Sequence, residues 1–256
     1  MIDNPFIYRY ISFESFVGMI QNQALTFVLP ELWEDPKECS YFFEMLNATD
    51  DMYNRIIPCI LYFKTYAQCW TKLSESDAMW RIYSYNNRAI QIKVATQTIE
   101  QLSDVSIVPV EYSDHIEIDF DKPAKVFLRT LAIKRLAFQH EKEIRLIKPY
   151  KFLSEDDMDQ HIKAFLAIGG DEKSIEVFES IYPELPMKEK MIKINKLLNI
   201  GNEIQNTQDI SFKHIPDFIA GVKVHPLAPE WYVNIVNEYC ERNSIPFDGK
   251  STLYNS

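Results

Sequence analysis

Glycine is scarce. The 256 residues hold only six, Gly18, Gly169, Gly170, Gly201, Gly221 and Gly249, and none stands in a GxGxxG, GxxxxGK or GxSxG context. Folds that cradle phosphate on backbone N–H groups, or that lift a nucleophile on a strained turn, need glycine at those offsets because a Cβ would block the close approach. Rossmann, P-loop and α/β-hydrolase architectures are therefore disfavoured. Cysteine is equally thin. Cys39, Cys59, Cys69 and Cys240 are irregularly spaced with no CxxC, which argues against a disulfide framework or zinc knuckle and predicts reduced thiols in a cytoplasmic protein. The five histidines form no HExxH or other ligand-like spacing, so no metal centre is expected. No basic leader is seen, and no stretch approaches the roughly 18 apolar residues of a membrane span; neither a signal peptide nor membrane association is expected. Positive charge is in deficit: 27 Lys+Arg against 37 Asp+Glu leave a net charge of -10, without the electrostatic footprint of a duplex-binding module. One basic stretch runs from Lys122 to Arg145. It reads either as a local groove or as a solvated helix face.

What the chain does have is apolar and aromatic content. Hydrophobic residues make up 46% and aromatics 13%, enough for a full core. Some Tyr and Trp are left for surfaces or sites, because each polar tip needs a partner. Period-two patterns predict strands at 7–10, 25–29, 66–71, 88–95, 105–112, 141–148, 218–224 and 251–254. Period-3.6 patterns predict helices at 13–22, 38–64, 77–85, 123–138 and 229–243. Ser74 followed by Asp77 reads as a capping box opening the third helix. Residues from about 154 to 205 read as polar and helical. Short strands alternating with helices, without a βαβ glycine turn, predict one α+β domain over 1–256: a mixed, mainly antiparallel sheet core with flanking helices and a helical insertion at about 154–205.

Several residues could carry chemistry. On the strand at 141–148, alternation puts Glu141, Glu143 and Arg145 on one face and Ile144 and Leu146 on the other. Such a face is either the salt-bridged outside of an edge strand or a site with two carboxylates beside an arginine. Arg9, between Tyr8 and Tyr10 on the first strand, has the same two readings. Trp80 and Tyr83 share a helix face; core packing suits Trp80, whereas the Tyr83 hydroxyl wants a partner. In the loop Trp33-Glu34-Asp35-Pro36-Lys37-Glu38, kept out of helix by the Asp-Pro step, Asp35 and Glu38 read as an accessory pair of site carboxylates, with helix N-capping as the alternative for Asp35. Gln91-Ile92-Lys93 on a strand after Asp77 is a trace of the carboxylate–lysine arrangement of metal-dependent nucleases.

Five ordered pieces carry a resemblance. They are Tyr8-Arg9-Tyr10; Leu25-Thr26-Phe27 running on to Trp33 through Glu38; Cys69-Trp70 with Met79-Trp80-Arg81-Ile82-Tyr83; Lys134-Arg135 with Glu141-Lys142-Glu143-Ile144-Arg145-Leu146; and Ser251-Thr252-Leu253-Tyr254. In these the chain resembles the bacterial family known as domain of unknown function 2971, with Glu34 standing where members usually carry Asn. The layout is also similar, by pattern, to ADP-ribosyltransferase-fold toxins, which is a fold-level analogy. That resemblance implies NAD as substrate, Glu143 and Glu141 as catalytic carboxylates, and Tyr8, Arg9, Tyr10, Trp80, Tyr83 and Arg145 as substrate-binding groups, with Asp35 and Glu38 accessory. It further implies a nucleic acid or protein acceptor, a role as a toxin or phage-defence effector, and a defence-system or antitoxin protein as partner. A metal-dependent nuclease and a non-enzymatic binding or sensor module are the alternatives.

Overall fold

The structure is a computed structural model that describes residues 5–35, 37–38, 42, 65–115, 128–149 and 205–254. It begins with strand β1 (Phe6–Ser12), whose Ile7 and Ile11 enter the main core. Ser12 ends the strand and caps α1 (Phe13–Asn22): its Oγ accepts from the Ser15 N–H at 3.2 Å, satisfying one of the donors that a helix N-terminus leaves open. Gln23, in the left-handed conformation, closes the helix. The spacing of Phe16, Met19 and Ile20 gives α1 one buried face, and β2 (Ala24–Val28) runs back to a 3-10 turn begun by Pro30. After β3 (Tyr66–Thr71) come α2 (Asp77–Ile82), β4 (Ala89–Ala95), α3 (Thr96–Glu100), β5 (Ser106–Pro109), β6 (Glu111–Tyr112) and β7 (Ile133–Lys134). A 3-10 helix, Leu136–Glu141, leads into β8 (Glu143–Lys148). The last elements are β9 (Thr207–Ser211), α4 (Ile215–Phe218), β10 (Gly221–Val224), α5 (Glu230–Arg242) and β11 (Phe247–Lys250).

The fold is α+β. Among the described residues, nine strands form one sheet, ordered β11-β10-β4-β1-β3-β2-β9, with β8 and β5 continuing from β3; β6 and β7 form a separate parallel pair. Pairings in the large sheet are antiparallel except β10 with β11. β3 is the hub. Thr71 pairs with Tyr8 of β1 and with Glu143 of β8, while Ala67 pairs with Val28 of β2 and with Ile147 of β8. A strand has two edges, so β1 and β2 share the edge opposite β8, one at each end. Between these contacts the sheet splits. Gln68 fills the gap: its Nε2 donates to the Thr26 carbonyl at 2.9 Å, and its Oε1 accepts from Trp70 Nε1 at 2.8 Å. A diverging strand leaves a carbonyl unpaired, and a buried carbonyl needs a donor.

The main core lies on one face. Ile7, Ile90, Ile92, Val94, Ile144 and Leu146 meet the buried stripes of α1 and α5, the latter Tyr232, Val236 and Cys240 at four-residue steps. The opposite face carries the polar chemistry and the short helix α2.

Several expectations need correction. The helix expected at 123–138 does not run through: 131–132 turn, Ile133–Lys134 pair as a strand and Leu136–Glu141 form a 3-10 helix, so any helix in that stretch ends by Thr130. The N-cap of α2 is Ser76, whose Oγ accepts from the Met79 N–H at 3.3 Å, not Ser74. Phe218 belongs to α4, because Pro216 favours a helical first turn there, and the strand starts at Gly221. The last strand is Phe247–Lys250, and Ser251 follows it as a side-chain ligand of Glu75. The helices expected at 38–64 and about 154–205 lie outside the described residues, apart from isolated positions at their edges.

Candidate functional site

A buried cluster of charge occupies the face of β8 opposite the core. Glu143 and Arg145, two residues apart on β8, point the same way, and Arg145 Nε donates to Glu143 Oε1 at 2.8 Å. Arg145 is fully buried. Its other donors reach the Leu131 carbonyl at 2.6 Å and Glu38 Oε2 at 2.8 Å, and Trp33 lies over its guanidinium, 3.8 Å from ring centroid to Cζ. Lys134 of β7 is the second cation. Its Nζ contacts Glu38 at 3.1 Å, Glu141 at 2.8 Å and Glu143 at 3.0 Å. One ammonium has three donors and here meets three carboxylates.

Local backbone explains why Glu141 and Glu143 converge. Glu141 ends the 3-10 helix, and Lys142 adopts φ 44°, so the reversal at Lys142, rather than strand alternation alone, brings both carboxylates onto Lys134. Tyr112 of β6 steadies the start of β8: its hydroxyl accepts from the Glu143 N–H at 2.6 Å. Thr71 Oγ1 donates to the Glu141 carbonyl at 2.5 Å. Beside the cluster, Arg135 forms a two-pronged pair with Asp35, both bonds at 3.0 Å.

The electrostatics separate the carboxylates. Burial alone would push the Glu143 carboxyl up, but the Arg145 guanidinium and Lys134 ammonium reverse this and hold it at about 2. Glu38 moves the other way: burial outweighs the same two cations, helped by the negative Glu143, and its carboxyl is raised. Burial would also lower Lys134 and Arg145, but the surrounding carboxylates, Glu143 first, keep both above their ordinary values. Cys69, paired with Arg145 across β3 and β8, is pushed well up by burial and by Glu143. Tyr83, at the end of α2, is raised chiefly by burial and then by Glu141.

Of the residues singled out from sequence, Glu38, Glu141, Glu143 and Arg145 meet directly. Asp35 joins through Arg135, next to Lys134. Tyr83 borders the cluster. Arg9 is half-buried; burial lowers its pKa, and the ionisable groups that oppose this are Cys69 and Tyr83. Among the described residues no hydrogen bond or ion pair engages its guanidinium. Tyr10 and Trp80 do not join this cluster. They pack edge to face at 4.7 Å, with the Tyr10 hydroxyl accepting from Gln91 and Trp80 Nε1 donating to Glu75. Tyr8 is buried in register with Thr71 and Lys93. Lys134 and Trp33 were not singled out as site residues: Lys134 lies in a two-residue strand too short to show a period, inside a stretch that reads as helix. Its signals in sequence are its place in the basic stretch Lys122 to Arg145 and in the Lys134-Arg135 piece.

Residues from several of the resemblance pieces meet in two polar knots. One is the charge cluster. In the other, Glu75 binds Lys223 at 2.8 Å and Ser251 at 2.5 Å, while Asp77 binds both Arg81 and Tyr254, tying the tail to α2. Of the residues of the nuclease trace, Lys93 lies over the Phe6 ring and Gln91 donates to Tyr10 and Ser74. Among the described residues no three His, Cys, Asp or Glu side chains are grouped to hold a metal ion, and no helix is long and apolar enough to cross a membrane.

Fold and site together define a class of protein: an α+β sheet split at its hub strand, with a dry cluster of three carboxylates on two cations. Comparison with family models, curated proteins and solved structures found no match for the chain.

Proposed function

We propose that the chain is an NAD-consuming enzyme, an ADP-ribosyltransferase-like protein or NAD glycohydrolase, in line with its resemblance to domain of unknown function 2971 and to ADP-ribosyltransferase-fold toxins. The observation that carries this reading is Glu143, a carboxylate kept ionised in a dry site by Arg145 and Lys134. Breaking the nicotinamide–ribose bond sends the bonding electron pair out on nicotinamide and leaves positive charge shared between the ribose C1′ and ring oxygen. A fixed carboxylate in low dielectric stabilises that charge as it forms. Water, or an acceptor in the transferase case, then bonds to C1′ and gives up a proton. Arg9 supplies an uncommitted cation suited to the pyrophosphate, and Tyr83 an aromatic surface beside the carboxylates. A cytoplasmic role in toxicity or phage defence, with a defence-system or antitoxin partner, belongs to the same proposal.

One observation favours a non-enzymatic binding module instead. Both Glu143 oxygens are already engaged, Oε1 by Arg145 and Oε2 by Lys134. The two readings separate when the purified chain is incubated with NAD, alone and with cell extract as a source of acceptor, while free nicotinamide is measured. The enzyme reading expects release that disappears in Glu143→Gln, with circular dichroism showing the variant folded. No release under either condition, or release untouched by the substitution, leaves the binding module.

A further inference from the structure

We propose that Trp33, Asp35 and Glu38 form a latch over an anion-binding site, and that Lys134, Arg135 and Arg145 take the phosphates of a pyrophosphate-bearing ligand when the latch lifts. The ligand class rests on the proposed function; the latch rests on geometry and charge count.

Among the described residues, Trp33, Asp35 and Glu38 meet the β7–β8 face through its cations. Trp33 stacks on Arg145, Asp35 forks onto Arg135, and Glu38 bridges Arg145 and Lys134. A carboxylate forked onto a guanidinium offers the same pair of oxygens as a phosphate. With the latch down, three cations, Lys134, Arg135 and Arg145, stand against four carboxylates, Asp35, Glu38, Glu141 and Glu143. Lift Asp35 and Glu38 away and the three cations face two carboxylates. The sign of the cluster changes from negative to positive, which suits an anion such as a pyrophosphate.

Two features make the closed state displaceable. Arg135 is the outermost member, with its side chain 39% exposed, so an incoming anion reaches it first. Among the described residues the buried Trp33 indole N–H has no hydrogen-bond partner; a desolvated, unsatisfied donor disfavours the closed arrangement, and opening returns it to water.

The test is calorimetric titration of inorganic pyrophosphate into the full chain at low salt, comparing wild type with Asp35→Asn, Glu34→Gln and Arg135→Gln. Asp35→Asn removes the competing carboxylate and should bind pyrophosphate about tenfold tighter, the scale of one charge-assisted hydrogen bond. Glu34→Gln makes the same change in net charge one residue away, at an exposed side chain, and should match wild type. Arg135→Gln, at the most exposed of the cluster's side chains, should lose most of the affinity, with circular dichroism showing the variant folded. The latch is overturned if Asp35→Asn and Glu34→Gln tighten equally, if Arg135→Gln binds like wild type, or if no variant binds at all. No turnover is needed. Tightening in Asp35→Asn without nicotinamide release would therefore remove the enzymatic reading and keep the latch, and nicotinamide release with unchanged pyrophosphate binding would do the reverse.

Discussion

At the scale of single residues, Glu143 ties pH to stability. Its carboxyl stands at about 2 in the fold against an ordinary 4.5, so its contribution is present above about pH 4.5 and is lost as the pH falls towards 2. A depression of that size corresponds to about 3 kcal/mol. Glu38 is shifted in the opposite direction, so its contribution is greatest below its ordinary value and offsets part of that loss. Urea melts at stepped pH should show wild type losing stability steeply between pH 5 and 2, and Glu143→Gln, less stable at neutral pH, losing much less over the same range. Equal slopes would mean that Glu143 is not held as described. The convergence of Glu143 and Arg145 was legible because strand alternation is a strict rule. Lys134 as their common partner was not, since nothing local in sequence marks a lysine whose three acceptors come from positions 38, 141 and 143.

Among elements, those with a full period to display were read well. β3 and α1 fall on their expected residues, and β4 within one. The misses share a cause. β9 buries only Ile210 and β7 spans two residues, so neither has an alternation to see, and the 3-10 helix Leu136–Glu141 follows a three-residue step that mimics a fraying α-helix. That helix ends in the element most exposed to mutation, the turn at Lys142. Its φ of 44° suits glycine, tolerates lysine at a cost, and excludes a β-branched side chain. Lys142→Gly should therefore stay within about 1 kcal/mol of wild type, because relief of strain and loss of chain entropy nearly cancel. Lys142→Val should lose about 2 kcal/mol, and should also pull Glu141 and Glu143 apart, so that, on the proposed function, nicotinamide release falls with it. Chemical denaturation of the two variants checks the first claim. If valine proves as stable as glycine, the left-handed turn is not required.

Across the whole molecule, the sheet has to reconcile two arms that leave one edge of β3. One arm, β1 with β4, β10 and β11, carries Arg9 and the surface under α2; the other is β2 with β9; the charge cluster lies beyond β3 on β8. Relative placement of Arg9 and Glu143 therefore depends on how β1 departs from β3, and Gln68 is the side chain that occupies the fork. It is nearly dry, gives one bond to Thr26 and takes one from Trp70. Gln68→Leu keeps the volume but leaves the part-buried Thr26 carbonyl and the buried Trp70 indole N–H unmet, each worth about 1–3 kcal/mol. A combined loss of about 2–6 kcal/mol is expected in urea melts. Gln68 sits on the core side of β3, whereas Cys69 faces Arg145 and Glu143, so the charge cluster should survive in the molecules that remain folded. On the proposed function, nicotinamide release per folded molecule should then change mainly through NAD affinity, as β1 shifts Arg9, rather than through turnover at saturating NAD. Wild-type stability in Gln68→Leu would show that the fork closes without this side chain, and a fall in turnover with unchanged affinity would show that the fork acts on Glu143 rather than on Arg9.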